Sequence, residues 1–235
     1  MQLLAQAFKK DNRQAVIIIV PSLGSGGGLK ALRAGAIDMA VISRPLKDAE
    51  RSAALTASEY ARTPLLFAPA LSTNLSSITT RELVEIYNGQ RKTWPDGQTL
   101  RLVLRPKSES DADMIKSMSP DMAQAVTVAL GREGLTVALT DKSNAYNLKK
   151  VPGVVGTTTL AQIISENRQL KPLALNGVTP NLSALDAGKY GLYKHLFFVL
   201  GTTPSPLTVR FAAWLLSDAG REILRNNGNW VAPAQ

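Results

Sequence analysis

The sequence has no cysteine and a single histidine among its 235 residues. The lack of cysteine excludes disulfides, thiolate-bound metals and a cysteine nucleophile. The one histidine, His195, lies in an extended apolar segment with no serine and carboxylate partner evident in the sequence, so we assign it no catalytic role. No cluster of side chains has metal-ligand spacing. We therefore expect no metal site and no cofactor.

Long apolar runs are also missing, and aromatic residues are scarce. No stretch approaches the ~20 consecutive apolar residues that a membrane-spanning helix needs. Basic residues exceed acidic ones by 27 to 18, and the resulting net charge of +9 favours an acidic partner such as nucleic acid, an anionic membrane surface or a small anion. Because the basic residues are scattered and not interleaved with aromatic ones, nucleic acid is not an expected partner. A positive field that attracts small anions fits better, and so does a merely basic surface.

Glycine is concentrated in one place, residues 21–28, which read PSLGSGGG. This segment follows the apolar run 15–20 and precedes an apolar and basic stretch ending at Gly35, a pattern typical of strand, tight turn and helix. Glycines let the backbone approach a ligand closely, and a helix N-terminus presents free N–H groups to an anion. The pattern is equally compatible with a tight connection that binds nothing.

A second apolar run at 36–42 predicts a buried strand of the parallel type, followed directly by Ser43 and Arg44. Ligands of α/β proteins bind at the carboxyl ends of strands, so we expect Ser25 and Ser43 to face the same crevice. We interpret 47–55 as a helix. The long amphipathic stretch 206–225 predicts a single C-terminal helix.

The middle of the chain repeats the arrangement of strand, polar loop and helix. The Thr79 to Glu82 segment forms a capping box that predicts a helix over 80–88. Residues 100–104 predict a strand, 105–111 a polar loop beginning with Arg105, and 112–118 a helix. The fold class is therefore α/β, with two candidate ligand-facing edges.

Several segments, in this order, resemble the substrate-binding components of phosphate ABC transporters. They are GSGGG at 24–28, AIDMAVISRPL at 36–46, and ELVEIYNGQ with the later TWPDG at 82–97. The resemblance covers nearly the whole chain. It implies a two-lobed periplasmic-binding-protein fold of type 2, in which each lobe is a mixed sheet flanked by helices.

The resemblance also implies a division into lobes. Lobe 1 is expected at 1–68 plus 196–235 and lobe 2 at 69–195, with crossovers near 67–72 and 190–198. Members of this family carry a first strand and a loop rich in glycine, serine and threonine before the first helix. Because Met1 aligns inside or just before that helix, we expect this strand, its anion contact and any signal peptide to be missing from the chain. Binding is then expected to be weakened.

The family's ligand-binding residues transfer to matching positions. Ser25, Gly26 and Gly27 match the anion-binding glycine loop, Ser43 matches the ligand-facing end of the second strand, and Arg105 matches the arginine of the second lobe. A guanidinium can pair with two oxygens of one anion. Arg44 either helps to neutralise the anion or pairs with a carboxylate across the lobes.

The sequence departs from the family after Arg105. Where the family has a helix start similar to Ser-Gly-Thr, this chain has Ser108, Glu109, Ser110 and Asp111. Ser108 and Ser110 are expected to replace the missing donors. Glu109 and Asp111 bring negative charge near the anion unless they face solvent or cap the helix, and we expect Asp111 to act as a cap.

The resemblance implies a periplasmic, non-catalytic protein that captures phosphate or another tetrahedral oxyanion in the cleft between its lobes and delivers it to a membrane permease. One alternative is a ligand-sensing effector domain of the same fold, against which the lack of a helix-turn-helix segment counts. The other is a phosphatase-like enzyme, for which the sequence offers neither a metal cluster nor a nucleophile beside a base.

Overall fold

The structure is a computed structural model in which residues 1–233 are described. The chain forms two compact α/β units: unit 1 comprises Met1–Arg62 and the chain from Lys194 onwards, and unit 2 comprises Thr63–Tyr193. The helices are α1 (Gln2–Asp11), α2 (Gly24–Arg33), α3 (Thr80–Tyr87), α4 (Ser110–Lys116), α5 (Pro120–Gly131), α6 (Asp141–Lys150), α7 (Leu160–Ser165), α8 (Leu182–Asp186), α9 (Pro206–Leu215) and α10 (Asp218–Asn226). The strands are β1 (Met39–Ile42), β2 (Thr56–Pro69), β3 (Ser77–Ile78), β4 (Arg101–Leu104), β5 (Thr136–Val137), β6 (Val154–Thr159), β7 (Ala174–Leu175) and β8 (Tyr193–Leu200).

Unit 1 is built on β1, β8 and the first part of β2, in that order. Strand β1 runs antiparallel to β8, with Met39 opposite Leu200 and Ile42 opposite Phe197. The apolar face of α1 packs against the C-terminal helices, where Phe8 lies edge-on to Phe211 with ring centroids 5.2 Å apart. This packing holds the unit together and leaves the end of β1 beside the start of α2.

Unit 2 is built on the second part of β2, then β6, β4 and β5. Strand β6 is antiparallel to β2, whereas β4 runs parallel to both β6 and β5. The pairing of Leu104 with Val137 brings the carboxyl ends of β4 and β5 together. The residues that follow these two strands therefore lie side by side.

Several predicted elements are confirmed. The capping box opens α3: the Glu82 N–H donates to Thr79 Oγ1 at 3.2 Å, and the Thr79 N–H donates to a Glu82 carboxylate oxygen at 2.8 Å. The predicted strand ending at 104 is also present, and the helix predicted over 112–118 is α4, Ser110–Lys116.

The strand predicted over 15–20 is wrong. Within residues 1–233 this segment belongs to no strand pairing, although Ala15 is buried and Ile17 packs against the core. Val16 and Ile18 are 72% and 80% exposed. The alternation of buried and exposed residues is that of a strand, but a strand also needs a hydrogen-bonded neighbour, which composition alone does not supply.

Three further predictions need correction. The strand predicted as parallel is β1, which is antiparallel to β8, because an apolar run does not fix the direction of its neighbour. Instead of a helix over 47–55 there is only a short 3-10 turn, Asp48–Glu50. The predicted C-terminal helix is two helices, because Ser217 caps a new one by accepting from the Gly220 N–H.

Candidate functional site

In unit 1 the structure brings Ser25 and Ser43 together. Their hydroxyl oxygens lie 3.4 Å apart, and the Ser43 N–H donates to Ser25 Oγ at 3.2 Å. Ser25 lies in the first turn of α2 and Ser43 directly follows β1, so the contact joins a helix start to a strand end. Both side chains are partly exposed.

The first turn of α2 is open toward its surroundings. A Cβ atom added at Gly26 would meet no heavy atom within 4 Å, whereas one at Gly27 would lie 3.1 Å from the Leu23 side chain. Gly24 adopts a φ of +67°, a conformation that favours glycine. The helix thus begins with N–H groups that no side chain at positions 26 and 27 covers, at the end where its dipole favours negative charge.

Arg44 is held firmly by Glu50. Its two terminal nitrogens donate to the two carboxylate oxygens at 2.6 and 2.7 Å, and the Lys47 N–H adds a third bond at 2.9 Å. Chiefly because Arg44 donates to this carboxylate, the pKa of Glu50 is lowered to about 2. The carboxylate partner of Arg44 thus belongs to the same unit. The alternative in which Arg44 pairs with a carboxylate across the lobes is wrong.

In unit 2, Arg105 follows β4 and is 9% exposed. Its Nη1 donates to the Ala138 carbonyl at 2.8 Å, and its Nη2 donates to Asp141 Oδ1 at 3.1 Å. A Glu109 carboxylate oxygen lies 4.0 Å from the same Nη2. The guanidinium is therefore anchored on one side by a carbonyl and faces two carboxylates on the other.

The segment after Arg105 differs from the sequence-based expectation at Asp111. Helix α4 begins at Ser110 with Glu109 in the N-cap position, so Asp111 stands within the first turn and not at the cap. Instead, Asp111 is 4% exposed and accepts from Thr157 Oγ1 on β6 at 3.1 Å. Ser110 is also buried, whereas Ser108 is exposed.

A small cavity of about 10 Å³ adjoins Arg105, Asp111 and Thr157. Its remaining wall is mainly apolar and includes Tyr87. Burial raises the pKa of the Tyr87 hydroxyl, and the charge of Asp111 adds to this effect. Such a space has room for about one water molecule, so it is a packing detail behind Arg105 and not a ligand pocket.

The single histidine of the chain is paired with a carboxylate. His195 Nδ1 lies 2.7 Å from Glu59 Oε1, and Glu59 also pairs with Arg62 at 2.7 Å. In residues 1–233 no group of three or more histidine, aspartate or glutamate side chains is arranged to hold a metal ion. None of the described helices is long and apolar enough to cross a membrane.

Sequence reasoning did not single out Glu50 or Asp141 as partners of the two arginines. The signal for Asp141 is topological: β5 is parallel to β4, so the chain after β5 must pass Arg105. With only two residues, Thr136–Val137, β5 has no recognisable sequence pattern. Glu50 lies six residues after Arg44 in a short turn, a spacing that is not diagnostic by itself.

The two α/β units, through which the chain passes in the order 1, 2, 1, and the polar residues at strand ends and helix starts define the class of periplasmic-binding-protein folds of type 2. Within this class the chain belongs to the PBP superfamily, whose domain matches residues 1–219.

The chain is similar to the phosphate-binding protein PstS of Staphylococcus saprophyticus, with 27% identity over 173 residues. The matched region is 71% of this chain but 48% of that protein, so the chain spans about half the length of this curated relative. Among solved structures, one from Clostridium perfringens described as a phosphate ABC transporter substrate-binding protein with bound phosphate has a TM-score of 0.85 at 17% identity. The match covers 99% of this chain and 94% of that one.

The same fold occurs in a regulatory protein. The regulatory domain of CcmR from Synechocystis PCC6803, solved in complex with 2-PG, has a TM-score of 0.59 at 12% identity, and the match covers 92% of this chain and 88% of that one. At these identities the structural likeness defines the fold, and function has to be argued from the site.

Proposed function

We propose that this protein is the solute-binding component of an ABC transporter and captures phosphate or a similar tetrahedral oxyanion. The observation that carries the proposal is the contact between Ser25 and Ser43 at the start of α2. Two hydroxyl groups, the glycine-lined first turn and the positive end of a ten-residue helix then converge on one open place. This combination suits an oxyanion.

In unit 2 we propose Arg105 as an oxyanion-binding residue. The guanidinium is almost fully buried, so a hydrogen bond to an anion would be little weakened by solvent. Anchoring of Nη1 on the Ala138 carbonyl fixes the plane of the group and leaves Nη2 directed at a carboxylate, which is itself an anion. We propose Ser108 and Ser110 as further donors beside it.

Arg44 remains in the proposed site as the neighbour of Ser43. The two hydrogen bonds with Glu50 balance the charge of Arg44. Arg44 therefore supports binding mainly by positioning the chain that follows β1. Its effect on affinity should therefore be smaller than that of Arg105.

In the proposed function the protein binds its ligand without transforming it. No residue in the described site pairs a nucleophile with an adjacent base, an arrangement that covalent catalysis by a side chain requires. The ligand is delivered to a membrane permease, and the working compartment is the periplasm or its extracytoplasmic equivalent. The names of the phosphate-binding relatives support this role.

An effector-sensing domain is the second candidate function. The likeness to the regulatory domain of CcmR, solved in complex with 2-PG, favours it. The two candidates differ in ligand preference: a transport receptor should bind inorganic phosphate in preference to phosphorylated metabolites of similar charge.

The proposal is tested by isothermal titration calorimetry with phosphate, sulfate, molybdate and tungstate. We expect one oxyanion per chain, with phosphate bound best. Arg105→Ala should weaken phosphate binding about 10- to 100-fold, because a charge-assisted hydrogen bond contributes about 1.5–3 kcal/mol. Ser25→Ala should weaken it less, by about three- to tenfold, as expected for a neutral donor.

Arg168→Ala is the matched control. Arg168 is also a buried arginine of unit 2 paired with a carboxylate, Glu166, at 2.7 Å, but it lies outside the proposed site. This variant should lose stability while keeping its phosphate affinity. Failure of the wild-type protein to bind any of the four anions, or equal affinities of the Arg105→Ala and wild-type proteins, would refute the proposal.

A further inference from the structure

The guanidinium of Arg105 already has an anionic partner supplied by the chain itself. Asp141, the first residue of α6, accepts from Nη2 at 3.1 Å, and Glu109, at the N-cap of α4, approaches the same nitrogen to 4.0 Å. A carboxylate and a phosphate compete for the same face of a guanidinium, since both accept its paired N–H donors.

The two sides of the guanidinium are held differently. The Nη1 bond to the Ala138 carbonyl is buried, whereas the Asp141 side chain is 46% exposed. Because the Asp141 carboxylate is already partly hydrated, it can rotate into water when another anion takes its place on Arg105. The carbonyl contact therefore fixes Arg105, and the Asp141 contact is the one that can open.

The pair in unit 1 provides a contrast. Arg44 and Glu50 make two short bonds, and the Glu50 side chain is only 18% exposed, so that carboxylate cannot turn into water without breaking both bonds. The single, longer and more exposed contact to Asp141 lacks these restraints.

We infer that Asp141 is an internal competitor that occupies Arg105 in the ligand-free protein and is displaced by the bound oxyanion, so that this side chain sets the affinity of the site. The inference rests on the proposed function. Asp141 does not contact the ligand; it acts through Arg105. Glu109 exerts the same effect more weakly from its greater distance.

The competition makes a graded prediction for phosphate titrations by calorimetry. Asp141→Asn should bind phosphate about two- to fivefold more tightly than the wild-type protein, because removing the charge ends a competition worth about as much as an exposed ion pair. Glu109→Gln should show a smaller gain in the same direction. Asp141→Glu, which restores the charge, should return the affinity toward the wild-type value.

Asp121→Asn is the matched control. Asp121 is an exposed aspartate in the first turn of α5 in the same unit, and its substitution removes one negative charge without altering a partner of Arg105. Thermal unfolding of every variant checks that the fold is retained. An Asp141→Asn affinity that equals that of Asp121→Asn, or that is weaker than wild type, overturns the inference while the proposed function stands. Absence of oxyanion binding in both the wild-type and the Asp141→Asn proteins overturns the inference and the proposed function together. Arg105→Ala separates the two results, because a loss of affinity in this variant supports the proposed function whatever Asp141→Asn does.

Discussion

At the residue scale, the two arginines that follow strand ends are held by partners of unequal strength. Glu50 makes two short bonds to Arg44, whereas Asp141 makes one longer bond to Arg105. The first arrangement fixes a turn of the backbone, and the second leaves a cation that an external anion can claim. The same residue type therefore serves a structural role in unit 1 and a proposed binding role in unit 2.

Glu50→Gln tests the structural role. The variant should lower the free energy of unfolding at pH 7 by about 1 kcal/mol, a value limited by the partial exposure of the pair. The pKa of Glu50 in the folded protein, about 2, lies below its ordinary value of 4.5, so its stabilisation is complete above about pH 4.5 and is lost as the pH falls toward about 2. Urea unfolding from pH 7 to pH 3 should show the difference between variant and wild type shrinking below pH 4.5.

Glu133→Gln serves as the control for this measurement, since Glu133 is exposed and makes no ion pair recorded in residues 1–233. Its unfolding free energy should follow the wild-type curve at every pH. A Glu50→Gln difference that stays constant from pH 7 to pH 3 would mean that the carboxylate charge is not what stabilises the turn.

The sequence predicted individual site residues better than their partners. Ser25 and Ser43 could be expected to meet because each occupies a position that α/β folds place at one edge of a sheet, and their hydroxyls do lie 3.4 Å apart. Asp141 could not be assigned to Arg105, because the link depends on a two-residue strand. Asp111 was expected at a cap, but it accepts a hydrogen bond from Thr157 on β6, a partner 46 residues away that the local sequence does not indicate.

At the scale of elements, the segment 15–20 shows how composition misleads. Five consecutive β-branched residues predict a strand, yet the segment pairs with no strand in the described part of the chain and exposes Val16 and Ile18. β-Propensity measures how well a side chain fits a pleated, half-buried surface, and that surface must be supplied by neighbours.

Ile18→Ala and Ile42→Ala form a matched pair that tests this description. Ile18 is 80% exposed, whereas Ile42 lies on β1 and is 1% exposed. We expect Ile18→Ala to change the free energy of unfolding by less than about 0.5 kcal/mol and Ile42→Ala to lower it by about 2–5 kcal/mol. Equal losses for the two variants in chemical unfolding would show that 15–20 is buried in solution.

Helix ends were predictable wherever a side chain marks them. Thr79 and Glu82 define the start of α3 through two reciprocal hydrogen bonds, which is a signal of four residues. Ser217 carries a signal of the same kind, but it lies inside a continuous amphipathic stretch, and the apolar periodicity of 206–225 outweighed it in the sequence interpretation.

At the scale of the whole molecule, the chain passes from unit 1 to unit 2 and back, between residues 62 and 63 and again between 193 and 194. The lobe division implied by the family resemblance, 1–68 plus 196–235 and 69–195, stays a prediction. The precise ends of the units depend on contacts that a linear sequence does not display.

The division of binding residues between the units is the central claim of this account. Ser25, Gly26, Gly27 and Ser43 belong to unit 1 and Arg105 belongs to unit 2, and we propose that residues of both sets respond to phosphate. Mutational losses of affinity support such a claim only indirectly, since any variant can also disturb its own unit.

Nuclear magnetic resonance of the uniformly ¹⁵N-labelled wild-type protein, titrated with phosphate, tests this claim most directly. The account predicts that the backbone amide signals of Ser25, Gly26, Gly27 and Ser43 and the Nε signal of Arg105 change together, with one common midpoint and saturation at one bound phosphate per chain. Signals of the two sets that respond at separate midpoints, or that do not respond while phosphate binds elsewhere, would contradict it.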